Sequence, residues 1–201
     1  MSKDSKLKHF FKAFWNLVWK DDSWKGWVVS LIFIFVMVKF VFFPALYLVT
    51  GTKLPLVVVE SCSMYHPGNL VTDFDDWWTT HESRYQVYNI SKEEFEAHAL
   101  KNGFNKGDII LSLGVNPDDL EKGDIIIFNA GQNHPIIHRV IKINDQKTFE
   151  TWGDNNNGQL PVEKSISNDK IISRAVFKVP YIGWIKLLPV NLLTQQKLTG
   201  C

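Results

Sequence analysis

Residues 27–49 read WVVSLIFIFVMVKFVFFPALYLV, a run of 23 residues with one charged side chain, Lys39. As a helix that rises about 1.5 Å per residue, the run is roughly 34 Å long and can cross the hydrocarbon core of a bilayer. A helix on the surface of a soluble protein is apolar on one face, whereas this run is apolar all round. Lys39 costs about 2.5–3.5 kcal/mol on insertion, which the surrounding apolar side chains offset. The run predicts a transmembrane helix.

The chain before this run indicates a retained anchor and gives its orientation. The run is longer than the roughly 7–15 apolar residues of a cleaved signal peptide, and it begins behind a long basic segment. Residues 1–26 contain six lysines and three aspartates, while Lys53 is the one cation close behind the run. The positive-inside rule therefore predicts a single-pass protein of the cell membrane, with a cytoplasmic N-terminus and residues 50–201 outside.

Residues 1–26 also form a basic amphipathic segment. Apolar residues recur at helical spacing among its lysines; they are Leu7, Phe10, Phe11, Phe14, Leu17 and Val18. Such a segment can lie on an anionic membrane surface. Alternatively, it is a short helix that simply continues toward the span.

The part beyond the span is rich in short β-type runs bounded by glycine, proline, asparagine and aspartate. The runs are 56–59, 108–113, 124–128, 136–143, 148–152 and 171–179. Two of them open with the same Lys-Gly-Asp turn. This pattern predicts a mostly β chain: one extracytoplasmic β-rich domain over residues 50–201, one N-terminal transmembrane helix over 27–49 and a small helical insertion.

The insertion is predicted over residues 68–105. It holds an acidic and aromatic cluster whose members are Asp73, Asp75, Asp76, Trp77 and Trp78. The spacing of these acids is not that of a calcium loop, so we expect a solvated loop anchored by the tryptophan rings. A capping box at Ser91–Glu94 and a stop at Gly103 predict one short helix over 92–101.

Composition excludes several classes of protein and site. A net charge of +1 argues against a nucleic-acid binder, because phosphate contacts need a basic excess. The two cysteines, Cys62 and Cys201, are too few for a disulfide framework or a thiolate zinc site, and we expect no metal or cofactor.

The apolar residues 184–193 are too short to span a membrane, so we expect a surface-dipping segment or an edge strand.

Three short segments contain residues suited to nucleophilic catalysis. The apolar run 56–59 leads straight into Glu60-Ser-Cys-Ser-Met-Tyr-His-Pro67, which places hydroxyl groups at the end of a strand. His138 opens a later strand and can accept a serine proton near pH 7. Asp154 lies in a turn rich in glycine and asparagine, where it can orient an imidazole. Each of these residues also has a purely structural interpretation as a turn former or a core-edge side chain.

Five ordered blocks over residues 55–185 resemble type I signal peptidase, which forms peptidase family S26. The blocks are Ser61-Cys-Ser-Met64, Lys122-Gly-Asp-Ile-Ile-Ile-Phe128, Pro135-Ile-Ile-His-Arg-Val140, Gly153-Asp-Asn-Asn156 and Val179-Pro-Tyr-Ile-Gly183. The pair His138-Arg139 stands where the bacterial branch has Lys-Arg. The chain thus resembles the archaeal and endoplasmic-reticulum branch, which works with serine, histidine and aspartate.

The resemblance implies a role for each matching residue. Ser63 is expected to be the nucleophile, His138 the general base and Asp154 the acid that orients it. The backbone N–H of Ser63 and the hydroxyl of Ser61 are expected to form the oxyanion hole, and Met64 to help line the substrate groove. The implied activity is that of a membrane-bound serine endopeptidase. It removes N-terminal signal peptides with small side chains at positions −1 and −3 from exported preproteins.

Departures from the family pattern leave alternatives open. Cys62 replaces the usual glycine and is itself a possible nucleophile. Leu160 stands where many relatives have a second aspartate, so Asp169 is a weaker alternative to Asp154. The insertion over 68–105 could be a lid or rest on the membrane. Besides preproteins and lipid, the protein translocase is a candidate partner. The rival function is a non-catalytic, membrane-tethered β module that binds exported chains or the translocase.

Overall fold

The computed structural model describes residues 3–67, 74–194 and 200–201. The chain divides into two compact units, Met1–Val49 and Thr50–Cys201. Asp73 and the other residues that open the predicted insertion, 68–73, lie outside the described residues.

The apolar run of the first unit belongs to a continuous helix over Trp24–Thr50, long and apolar enough to cross a membrane. It consists of α2 (Trp24–Met37), a π-helical stretch (Val38–Phe42) and α3 (Phe43–Thr50). In the π-helical stretch the Phe43 N–H donates to the Val38 carbonyl, five residues earlier. Pro44 follows directly, and because proline has no N–H and its ring crowds the preceding turn, it accounts for this local widening.

The amphipathic segment forms a separate helix, α1 (Lys3–Trp19), that does not run on into the apolar helix. The chain turns after Trp19, and Ser23 caps α2 by accepting a hydrogen bond from the Gly26 N–H. The two helices then contact each other, because the Ser30 hydroxyl donates to the Val18 carbonyl at 2.6 Å. The expectation of a helix continuing toward the span is therefore wrong.

The second unit is built on one antiparallel sheet of six strands. In chain order the strands are β1 (Leu56–Val58), β2 (Ile109–Leu113), β3 (Ile125–Phe128), β4 (Ile136–Ile143), β5 (Phe149–Trp152) and β6 (Ile171–Val179). They are arranged as β1-β2-β6-β3-β4-β5, so β1 lies at one edge. All six predicted runs form strands, with bounds that differ by a residue at most.

The balance of secondary structure differs from the prediction. About 42% of the chain is helical, so the fold is mixed α/β rather than mostly β. The excess comes from helices in segments whose sequence indicates a loop or a strand. The coarser expectation, a β-sheet unit behind one N-terminal apolar helix, is confirmed.

The insertion contains two helices, α4 (Phe74–Gln86) and α5 (Lys92–Ala97). The predicted capping box at Ser91 is present, but α5 ends at Ala97 because His98 is extended. The expectation of a solvated loop is wrong for α4, since Trp77 and Trp78 are buried in a core with other aromatic side chains. This core packs on the sheet through Ile141 of β4.

The C-terminal apolar residues form a helix, α6 (Trp184–Thr194), which rules out an edge strand there. Several of its apolar side chains are exposed, among them Ile185, Leu192 and Leu193. Beyond this helix, Cys201 forms a disulfide with Cys62. Two cysteines are too few for a disulfide framework, yet this single bond ties the end of the described chain to the turn after β1.

Candidate active site

The turn after β1 presents two serines to a cavity while its next residue is anchored in the core. Ser61 and Ser63 both line a cavity of about 450 Å³, and their hydroxyl oxygens are 3.2 Å apart. Met64 is fully buried among Val59, Phe104 and other apolar side chains. A fixed neighbour on one side and a cavity on the other orient Ser63 outward.

Met64 was expected to help line the substrate groove, and the structure places it elsewhere. Its sulfur accepts a hydrogen bond from the Asp154 N–H at 3.4 Å, inside the core. Met64 thus joins the serine turn to the Asp154 turn, and the cavity is lined instead by Leu56–Val59 and by Phe104.

His138, on β4, lines the same cavity and is held by a buried glutamate. Its Nδ1 bonds to Oε1 of Glu163, a side chain with no exposed surface. A carboxylate can only accept, so Nδ1 carries the proton and Nε2 is left as a hydrogen-bond acceptor. Glu163 is fixed in turn by the Thr151 hydroxyl at 3.1 Å and the Leu160 N–H at 2.7 Å. This arrangement is what a histidine general base needs.

Gly153 lies next to both His138 and the serine turn. A methyl group on its Cα would be 2.8 Å from His138 Nε2 and 2.8 Å from the Ser63 carbonyl oxygen. His138 Nε2 and the Ser63 carbonyl oxygen are therefore separated by no more than twice 2.8 Å. The Ser63 hydroxyl bonds to Ser61 and not to His138, so the two residues must change their relative position before a proton can pass from Ser63 to Nε2.

Asp154 was expected to orient His138, and the structure places its carboxylate in a different network. The side chain is fully buried and accepts from Arg139 Nη2 at 2.7 Å, His66 Nε2 at 2.9 Å and the Tyr85 hydroxyl at 2.8 Å. The carboxyl group on His138 is Glu163, so the assignment of the acid role to Asp154 is corrected. The weaker alternative, Asp169, is exposed in a short helical turn before β6.

Electrostatics explain how a charged group stays buried at Asp154. Burial alone would raise the pKa of this carboxyl, but the Arg139 charge and hydrogen bonds from His66 and Arg139 outweigh it and hold the pKa well below its usual range. The pKa of His66 is lowered, mainly by burial, although Asp154 partly opposes the shift. Asp154 is therefore ionised and His66 neutral at pH 7, and the network holds one ion pair.

The disulfide bears on the proposal that Cys62 is the nucleophile. A thiolate is required for that role, and the Cys62 sulfur is bonded to the sulfur of Cys201. Cys62 therefore has no free thiol in this structure. Among the described residues, no group of three or more histidine, cysteine, aspartate or glutamate side chains is placed to hold a metal ion.

Sequence reasoning missed Glu163, His66 and Tyr85. Glu163 lies three residues beyond Leu160, the position where an aspartate was sought, and a search for any nearby acid would have included it. His66 follows the serine block directly and was part of the quoted motif without a role. Tyr85 lies on α4, and nothing in its local sequence indicates that it contacts Asp154.

Comparison with known proteins adds no assignment, because neither a family model nor a curated protein matches this chain. A function is therefore inferred from the geometry of Ser63, His138 and Glu163.

Proposed function

We propose that this chain is a membrane-anchored serine endopeptidase of the signal peptidase I type that removes N-terminal signal peptides from exported preproteins. The observation that carries the proposal is the placement of His138. Its Nδ1 is held by the buried Glu163, and its Nε2 approaches the Ser63 turn across Gly153. A buried, oriented imidazole beside an outward-facing serine supports acyl transfer better than simple binding.

In the proposed reaction Ser63 Oγ attacks the carbonyl carbon of the scissile bond and its proton passes to His138 Nε2. Glu163 stabilises the imidazolium that forms. The C–N bond then breaks, and the leaving amine takes the proton from His138. Water, activated by the same histidine, hydrolyses the acyl-enzyme on Ser63. The Ser63 N–H and the Ser61 hydroxyl would stabilise the oxyanion, a type of contact worth about 10²–10³ in rate.

The cavity suits an extended peptide. β1 is an edge strand, and its residues Leu56–Val58 line the cavity together with the two serines. An extended substrate could add to this edge by backbone hydrogen bonds and lie with a carbonyl near Ser63. The apolar residues Leu56–Val59 and Phe104 favour uncharged substrate side chains next to them, while Glu60 and Lys186 make another part of the lining polar.

The proposed location follows from the anchor and its flanking charges. The helix Trp24–Thr50 can cross a membrane, and six lysines precede it or lie in its first turn. We therefore propose a cytoplasmic N-terminus with the sheet unit on the opposite side, where exported preproteins emerge. Signal peptides and membrane lipid are the implied partners, and the translocase is a further candidate.

Membranes that contain the full chain test the proposal with a preprotein cleavage assay. Ser63→Ala and His138→Ala are expected to abolish processing, because each removes a group that takes part in proton transfer. Ser165→Ala and His9→Ala, at an exposed serine and an exposed histidine outside the cavity lining, are matched controls. Both controls should retain activity within a few-fold of the unmodified chain.

Processing by Ser63→Ala and His138→Ala at the unmodified rate would overturn the proposal and favour the non-catalytic binding module. Incubation with several unrelated preproteins separates general processing from cleavage of one dedicated substrate.

A further inference from the structure

Asn155 makes two hydrogen bonds to the turn that contains Ser61 and Ser63. The Asn155 N–H donates to the Ser63 carbonyl at 2.8 Å. Its side-chain Nδ2 donates to the Cys62 carbonyl at 3.0 Å. The partner is a carbonyl, which only accepts, so the amide nitrogen is the atom that faces it. Asn155 thus binds the peptide groups on both sides of the Ser63 Cα.

Hydrogen bonds to the Cys62 carbonyl fix the direction of the Ser63 N–H. In a planar trans peptide the carbonyl and the N–H point in opposite directions. Because Asn155 Nδ2 and the Tyr65 N–H both bind the Cys62 carbonyl, the N–H of Ser63 must point away from them. Within the part of the chain that the structure describes, this N–H has no acceptor. It is a free donor on a residue that lines the cavity, as an oxyanion site requires.

Asn155 is itself held firmly by its neighbours. Asp154, the preceding residue, is locked by its buried contacts to Arg139, His66 and Tyr85. The loop is closed behind it by a hydrogen bond from the Asn156 N–H to the Gly153 carbonyl at 2.8 Å. The two hydrogen bonds from Asn155 to the serine turn therefore start from a loop that is itself held in place.

We propose that Asn155 is a positioning residue of the oxyanion hole: it holds the Cys62–Ser63 peptide so that the Ser63 N–H faces the developing oxyanion. The inference rests on the proposed function and adds a residue to it. Asn155 does not touch the substrate in this scheme. It acts through the orientation of one peptide group.

Asn155→Asp is the sharpest test, because it keeps the size of the side chain and the backbone bond to Ser63 but replaces the donor by a carboxylate oxygen. Asn157→Asp places the same charge on an exposed residue of the same loop and serves as the control. For the full chain in detergent, kcat of Asn155→Asp should fall about 10–100-fold with KM within twofold. The loss is partial because the Ser63 N–H is still present but is no longer held in the right direction. Asn155→Ala, which adds no charge, should show the same loss.

A peptide aldehyde separates positioning from general structure. When it binds, Ser63 Oγ bonds to the aldehyde carbon, the C=O π bond breaks and the serine proton moves to His138, which leaves an oxyanion. Its inhibition constant should rise in Asn155→Asp by the same factor as kcat falls. The inhibition constant of the matching peptide alcohol, which forms no oxyanion, should stay within twofold.

Two results would overturn the inference: a kcat for Asn155→Asp within twofold of Asn157→Asp, or equal shifts for aldehyde and alcohol. Either result, obtained while the unmodified chain cleaves preproteins, leaves the proposed function intact. If the unmodified chain neither cleaves preproteins nor binds the aldehyde more tightly than the alcohol, both proposals fail.

Discussion

At the scale of single residues, the carboxylate that contacts His138 belongs to a glutamate, Glu163, and not to the aspartate that the sequence predicted. A carboxylate that serves a histidine base must reach Nδ1, be shielded from water and be held in place. Glu163 meets these conditions through its complete burial and its bonds from Thr151 and Leu160. Its side chain is one methylene longer than that of aspartate, so it can reach His138 from a position further along the chain.

The proposed role of Glu163 predicts the effect of Glu163→Gln. The variant removes the negative charge that stabilises the imidazolium, and its amide cannot accept from both His138 and the Leu160 N–H. We expect kcat for preprotein cleavage to fall by about 10²–10⁴-fold with a smaller change in KM. Glu150→Gln on β5 and Asp169→Asn should remain within a few-fold of the unmodified chain. A larger loss for Asp169→Asn than for Glu163→Gln would contradict the assignment.

At the scale of elements, the insertion is anchored at the candidate site rather than lying apart from it. The Trp77 ring of α4 stacks on His66 with centroids 3.6 Å apart. From the same helix, Tyr85 donates to the Asp154 carboxylate and Arg84 to the Asp154 carbonyl. The helix therefore supports the loop from which Asn155 binds the serine turn. A lid that opens along this face would have to break these buried contacts.

The buried contact between the insertion and His66 predicts a pH dependence of stability. Burial lowers the pKa of His66 below its ordinary value of 6.5, so as the pH falls below 6.5 this residue takes up a proton more readily in the unfolded chain than in the native chain. The associated stability is present above pH 6.5 and is lost as the pH falls toward the lowered pKa. His66→Gln keeps an amide donor for Asp154 and removes the titration. When the pH is lowered from about 7.5 to 5.5, the free energy of unfolding should therefore fall less in His66→Gln than in the unmodified chain.

Urea unfolding of the full chain in detergent at the two pH values measures this difference. His134→Gln, at an exposed histidine, should follow the unmodified chain. An equal loss of stability for His66→Gln and the unmodified chain would show that His66 does not contribute to the pH dependence.

The elements also show what the sequence could predict. The strands were predictable because their alternating or fully apolar runs end at glycine, proline and aspartate. Helix α4 was missed, although Phe74, Trp77 and Trp78 lie at helical spacing, because its acidic first turn was interpreted as a solvated loop. The pairing of His138 with Glu163 could not be predicted from the sequence, because it depends on tertiary contacts between β4 and a turn after β5. The roles of Ser61 and Ser63 remain predictions from the resemblance.

At the scale of the whole molecule, one covalent bond closes most of the sheet unit into a loop. Cys62 and Cys201 are 139 residues apart in sequence, and Cys62 lies between the two serines of the candidate site. A cross-link over a long loop stabilises mainly by restricting the unfolded chain, typically by about 2–4 kcal/mol. Such bonds persist in oxidising compartments, which agrees with the proposed location outside the cytoplasm.

Cys201→Ser tests the contribution of this bond. We expect the free energy of unfolding to fall by about 2–4 kcal/mol under non-reducing conditions. A reductant should destabilise the unmodified chain by the same amount and leave the variant unchanged. Two free thiols in the native, unreduced protein, detected by thiol labelling, would contradict the presence of the bond.

The bond also sets an order of events during biosynthesis. Ser63, His138 and Glu163 all precede Cys201, so a growing chain contains the three residues before it contains the partner of Cys62. Until that partner is delivered, a free thiol sits beside the candidate nucleophile and is open to a mixed disulfide with an oxidoreductase. Maturation of the chain would then end with an oxidation step.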